Sequence, residues 1–427
     1  MARSRRGEPA ILQESFDLGM RRDYSWDRIG ANAAWNLQDW VVNRLGAPLR
    51  RRGPWEYDGT FAVTPTSIRS GIVAPFNGGK YILAVDADGD VYRKTVGGGS
   101  WAIDGTTRDV NQLKQNPIFY FDNAFFPSYN GTQTMSVASE TTVIEYTYTA
   151  TYKPTYLTAW KNRLVGAVGE RLVFGPPGDP NQAWDDDAVY VQTQPIKGLA
   201  ALQGVTLVYY DGSIDRVRGQ SPAGYGAIEG DLDFKTLWPG IGCLDAYSIV
   251  YWDDGVIWAD SNSIYQTDGA APFDILERCG LKGLWKDTIK GQEATISAGN
   301  LRVASGIYQD ILHVTLTNIS THVHIDTFVV DLNRWVGWRY TNFPFACYFD
   351  SPYNPDELYV GIENGTSGRV GQIAQVYQLG AGSADENGTN ITPVLEFPYH
   401  RFAAGNLRLD NLWHRRLATL MQAHPKR

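Results

Sequence analysis

Apolar and aromatic residues arrive in short runs, each cut by an Asp-Gly, Asn-Gly or Gly-Gly pair and followed by a second run. Lys80-Tyr81-Ile82-Leu83-Ala84-Val85, then Asp88-Gly89, then Val91-Tyr92 makes the first clear copy. Leu164–Val168 with Arg171–Phe174, and Thr206–Tyr210 with Ser213–Val217, follow the same plan. So does Ser248–Trp252, with Asp254-Gly255 read as the turn before Val256-Ile257-Trp258. Such a pair between two apolar runs predicts a hairpin, because both turn residues must take positive φ. The copies recur roughly every 35–45 residues, the spacing of propeller blades. Their centres fall near Val85, Phe121, Val168, Leu207, Val256, Val314 and Val360, and no long helical period is expected to interrupt them. Small antiparallel sheets must close on one another to protect their edges. The expectation is an all-β chain: a β-propeller of about six to seven blades over 61–385, an extended lead-in or closing strand over 1–60, and a short strand and tail over 386–427.

Composition sharpens this picture. The 427 residues include 14 Trp and 24 Tyr, with aromatics at 13%, which suits half-buried sheet faces. The 44 Gly and 21 Pro are scattered among turns and form no linker. No apolar stretch is long enough to span a membrane, and the basic start Arg3, Arg5, Arg6 is not followed by an apolar core of the secretory kind. Cys243, Cys279 and Cys347 are odd in number and far apart, so they read as reduced, buried side chains made in a cytoplasm. A net charge of −8 argues against a dedicated DNA-binding module.

Candidate chemistry is sparse. Asp86-Ala87-Asp88-Gly89-Asp90 resembles a calcium loop, but Val91 stands where the sharp-turn Gly belongs and Gly97 where a bidentate Glu belongs, so a hairpin turn is the better reading. Asp185-Asp186-Asp187 reads as a solvated loop. His322-Val323-His324 would put two imidazoles on one strand face, without a third ligand for zinc. There is no Gly-x-Ser-x-Gly elbow, and Gly99-Ser100-Trp101-Ala102-Ile103-Asp104-Gly105-Thr106 is a single scrambled approach to the repeated Asp-box of sialidases. Asn130-Gly131-Thr132, Asn364-Gly365-Thr366 and Asn387-Gly388-Thr389 read as Asn-Gly turns. No catalytic residue, cofactor site or metal site is expected, and the chain is read as a non-enzyme.

Several stretches together resemble the propeller-bearing tail hub and nozzle proteins of short-tailed bacteriophages. They are Trp160-Lys161-Asn162-Arg163-Leu164 with Gly178-Asp179-Pro180 before Trp184; Gly219-Gln220-Ser221-Pro222 with Gly242-Cys243, Ser248-Ile249 and Ser263-Ile264-Tyr265; and Val329–Trp335 with Leu358-Tyr359-Val360-Gly361. The opening Phe16–Met20, Asn32–Leu37 and Arg52-Gly53 is similar too, whereas Ser263 stands where that family often has Gly. The resemblance implies a virion protein made in the bacterial host cytoplasm. It implies a homo-oligomeric ring of six copies that continues the DNA-ejection channel and carries adaptor and fibre or spike subunits. Genomic DNA would pass without sequence-specific contacts, since an acidic lining repels phosphate. Arg50, Arg51, Arg52, Arg415 and Arg416 are then the expected inter-subunit contacts. A host-surface carbohydrate-binding propeller is the alternative, with Trp252, Trp258 and Trp338 exposed on one loop face; a glycan-cleaving enzyme ranks below it.

Overall fold

The computed structural model describes residues 20, 36–38, 40–42, 48–50, 55–56, 65, 67–104, 113–132, 134–148, 151–225, 230–297, 299–341, 345–351, 354–362, 370–372 and 394–396. Among them are six four-stranded sheets, one six-stranded sheet and a two-stranded ribbon. Taken in chain order, sheet 1 spans Ile68–Ile103, sheet 2 Ile118–Tyr146 and sheet 3 Tyr156–Val191. Sheet 4 spans Gly198–Pro239 and sheet 5 Val250–Asp274. Sheet 6 holds Leu301–Tyr340, extended by Asn36–Gln38 in parallel and then by Val394–Glu396. Sheet 7 runs from Phe345 to Gln372, and Trp55–Glu56 from the start of the chain supplies its outer strand.

The first strand of each sheet packs against the neighbouring sheet in turn, and Phe345–Ser351 of sheet 7 packs against Ile68–Phe76 of sheet 1. That contact closes the ring, and the arrangement is a β-propeller.

The cores are wedges between adjacent sheets, which explains why the inner strands read as unbroken apolar runs. Val165 and Leu172 face sheet 4, where Leu199, Val208 and Val217 meet them. Their neighbours Leu164 and Val173 face sheet 2, against Phe125 and Tyr146. Successive side chains point to opposite faces, so a strand buried on both faces loses the polar half of its alternation. Each such Val or Leu contributes about 1.5–3 kcal/mol by leaving water.

Three features differ from expectation. First, Asp253-Asp254 forms the turn in sheet 5, and Gly255 opens the next strand. A Cβ at Gly255 would lie 2.7 Å from the Thr267 carbonyl oxygen, so glycine is needed there for close approach. Second, two helices interrupt the β pattern between sheets 5 and 6: α1 (Ile275–Cys279) and α2 (Lys282–Glu293). Asp274 caps α1 by accepting from the Glu277 N–H, and Gly280 ends it at φ 68°. Trp285 and Ile289 of α2 are buried, and their spacing is helical. Third, Phe121-Asp122, Lys161-Asn162 and Gln309-Asp310 all have positive φ at both positions. They make the tight hairpin turns of sheets 2, 3 and 6 without any glycine.

Candidate functional site

The first strands of the sheets face the centre of the ring, and the segment Leu113–Asn116 hydrogen-bonds to three of them. Gln115 clamps the sheet 3 inner strand twice: its Nε2 donates to the Leu157 carbonyl (2.9 Å) and its Oε1 accepts from the Leu157 N–H (3.0 Å). Asn116 Nδ2 donates to the Tyr348 carbonyl of sheet 7 (2.6 Å), and its Oδ1 accepts from the Gly71 N–H of sheet 1 (3.4 Å) and the Ser70 hydroxyl (3.3 Å). Tyr247, on the turn before sheet 5, donates to the Leu113 carbonyl (3.2 Å).

Beside this segment lies a buried ion pair. Arg302 Nε stands 3.2 Å from Asp245 Oδ2, and its Nη1 donates to the carbonyls of Arg69 (3.2 Å) and Ala346 (3.3 Å). Its guanidinium also stacks 3.7 Å over the Tyr247 ring. Asp245 accepts from the backbone N–H groups of Tyr247 (3.0 Å) and Val303 (3.2 Å). Burial pushes the Asp245 carboxyl up, Arg302 opposes that shift, and burial pushes the Tyr247 phenol up to about 12. One guanidinium thus binds sheets 6, 7 and 1 to the turn that leads into sheet 5, with its charge and donors matched by acceptors. Tyr251 adds a further bridge: its phenol oxygen accepts from the Ala201 N–H of sheet 4 (3.0 Å) and is hydrogen-bonded to Thr158 of sheet 3. The chemistry at this axis is fastening.

The residues singled out by sequence are placed elsewhere. Arg50 ends the strand Pro48–Arg50, which pairs with Trp40–Val42; Arg51, Arg52, Arg415 and Arg416 lie outside the described residues. Asp86 Oδ1 accepts from the Asp88 and Asp90 N–H groups, both at 2.9 Å, so its carboxylate shapes the turn. Asp185 does the same for its loop, accepting from Asp187 N–H (2.9 Å) and Tyr225 N–H (2.8 Å), and those bonds hold its carboxyl below the usual range.

The His322/His324 expectation fails. His322 sits in the turn at φ 57°, and only His324 is in the strand, where its Nε2 is 2.9 Å from the Thr327 hydroxyl. The glycan platform fails as drawn too, since Trp258 and Trp338 are wholly buried. Trp252 is half-buried and donates to Asp310 Oδ1 (3.0 Å), near Trp335 and Phe273.

The resemblance motifs turn out to be turns and packing. Gly178 takes φ 85°, Asp179 Oδ1 accepts from Asn181 N–H (2.8 Å), and Tyr146 donates to the Pro180 carbonyl. Ser248 satisfies two backbone groups, donating to the Asp245 carbonyl (2.6 Å) and accepting from Ala259 N–H (3.0 Å). Cys243, Cys279 and Cys347 form no disulfide and are buried. Among the described residues, no group of three or more His, Cys, Asp or Glu is arranged to hold a metal ion, and no helix is long and apolar enough to cross a membrane.

No protein-family model and no curated protein matches the chain. Among solved structures it is similar to the computationally designed Ika8 protein, at 12% identity and a TM-score of 0.38, over 74% of this chain and 100% of that one. It is also similar to the extracellular domain of the one-component system BT4673 from B. thetaiotaomicron, at 12% identity and a TM-score of 0.43, over 89% of this chain. The chain spans about half (52%) of the length of the latter. At these values neither likeness bears on function.

Proposed function

We propose that this chain is a structural subunit of a tailed-phage virion, a tail hub or nozzle protein, whose propeller serves as a stiff support for adaptor and fibre or spike subunits. The observation that carries this reading is the tied axis. Gln115, Asn116, Tyr247 and the Arg302–Asp245 pair bind inner strands from sheets 1, 3, 6 and 7 and the turn before sheet 5 into one block. The resemblance in sequence supplies the phage context. In this reading the DNA passage lies between copies arranged in a ring, and Leu113–Asn116 ties inner strands of each propeller together. Arg50, Arg51, Arg52, Arg415 and Arg416 are the proposed inter-subunit contacts. Replacing Arg50, Arg51 and Arg52 together with Ala is expected to reduce ring assembly in native mass spectrometry, and unchanged assembly contradicts that role.

A second reading rests on a different observation. Trp252, Phe273 and Trp335 gather between sheets 5 and 6 beside Asp310, an aromatic and acidic pairing suited to a sugar ring. Binding of host glycans on an array, lost in Trp335→Ala, would favour a receptor-recognition propeller.

A further inference from the structure

The tip of the first hairpin of sheet 3 holds a charge that the fold leaves unmatched. Trp160 and Arg163 face each other across the Lys161-Asn162 turn. Arg163 is 6% exposed and Trp160 4%. Arg163 Nε and Nη1 are buried and have no hydrogen-bond partner, and the same is true of Trp160 Nε1. Arg163 shares its strand face with Val165, which packs toward sheet 4, and its guanidinium carbon stands 6.0 Å from the ring centre of Tyr225. Two acceptor groups near Tyr225 are already engaged. The Tyr225 hydroxyl donates to the Phe174 carbonyl (2.8 Å) and accepts from Asp185 N–H (3.0 Å), while Asp185 holds two backbone N–H groups. A second cation flanks the site: Lys161 Nζ lies 4.9 Å over the Trp160 ring and donates to the Gly219 carbonyl. Three buried N–H donors on one cross-strand pair, with a lysine alongside, are costly until an acceptor arrives, and a charged acceptor repays most.

We propose that this hairpin tip is an oxyanion-binding site, in which Arg163 and Trp160 donate to a single phosphate-type or carboxylate group and Lys161 adds charge. Arg163 Nε–H points along the guanidinium edge it shares with Nη2, a planar fork that matches two oxygens of either group, whereas Nη1 lies on the Cδ side and does not reach the same group. The indole N–H supplies a third donor and admits no cation. A free inorganic oxyanion and the acidic side chain of a neighbouring polypeptide present the same chemistry, so the test carries one arm for each.

The full-length chain is titrated with inorganic phosphate in one arm and acetate in the other, against chloride at equal ionic strength. The readouts are the thermal midpoint and the Arg163 Nε–H resonance. One or both oxyanions should displace that resonance saturably and raise the midpoint by about 1–2 °C at ten times the Kd. A response to phosphate alone identifies an inorganic oxyanion, and a response to acetate identifies a carboxylate acceptor. Arg163→Met should abolish the response and Trp160→Phe should weaken it several-fold. If Arg163→Met does not fold, the wild-type resonance and Trp160→Phe still decide. An unmoved Arg163 resonance, or an identical response in either variant, overturns the proposal.

Discussion

Arg302 and Arg163 are both buried guanidiniums in this propeller, at 6% exposure each, yet their surroundings are opposites. Around Arg302 stand the Asp245 carboxylate, two carbonyls and a tyrosine face. At Arg163 two of the guanidinium nitrogens have no hydrogen-bond partner, and the Tyr225 hydroxyl beside it donates to the Phe174 carbonyl instead. The fold uses the first charge to join sheets 6, 7 and 1 to the turn before sheet 5, whereas the second keeps donors without partners, the basis of the oxyanion proposal. A buried cation surrounded by acceptors reports on stability; one without them reports on binding.

The largest break in that comparison comes from the paired member. Arg302→Met should cost about 3–5 kcal/mol in urea unfolding, because Asp245 is left buried and unpaired. A loss below about 1 kcal/mol would show that the axis is not held this way.

The next effect is set by pH. His313, wholly buried in the second strand of sheet 6, has its imidazole pulled down to about 3 by burial, with a backbone bond at Ile311 opposing. The unfolded chain takes up a proton near pH 6.5, and the folded chain resists until about pH 3. Stability from this group is therefore complete above pH 6.5 and lost progressively below it. Unfolding at pH 5 should show a deficit of about 2 kcal/mol relative to pH 7.5, and His313→Gln should flatten that slope.

Asn116→Ala should be milder, about 1–3 kcal/mol, since it frees the Gly71 N–H and the Tyr348 carbonyl at the axis. At the other extreme, Arg163→Met in buffer free of oxyanions should leave the unfolding midpoint unchanged or raise it slightly, the reverse of Arg302→Met.

Much of the fold was legible in the sequence because it is local. Each expected hairpin centre, from Val85 to Val360, lies in or beside the second strand of one of the sheets. Hairpins without glycine were harder to see: Lys161-Asn162 and Gln309-Asp310 signal only through an Asn or Asp at the second position. Helix α2 carried its own signal, with Leu281, Leu284, Trp285 and Ile289 on one face, but the surrounding β pattern masked it. The axial fastening was out of reach, because Asn116 and Tyr348 are 232 residues apart and no periodicity links them. The histidine pair misled because strand parity holds only within a strand, and a turn reaches as far as His322.

The most direct test of the account is electron microscopy of the full-length protein mixed with candidate tail adaptor and fibre components. Closed rings are expected, with propellers standing as solid pillars about a pore bounded by several copies. Particles that stay monomeric under those conditions, or density for DNA threading the axis of a single propeller past Gln115 and Asn116, would contradict it.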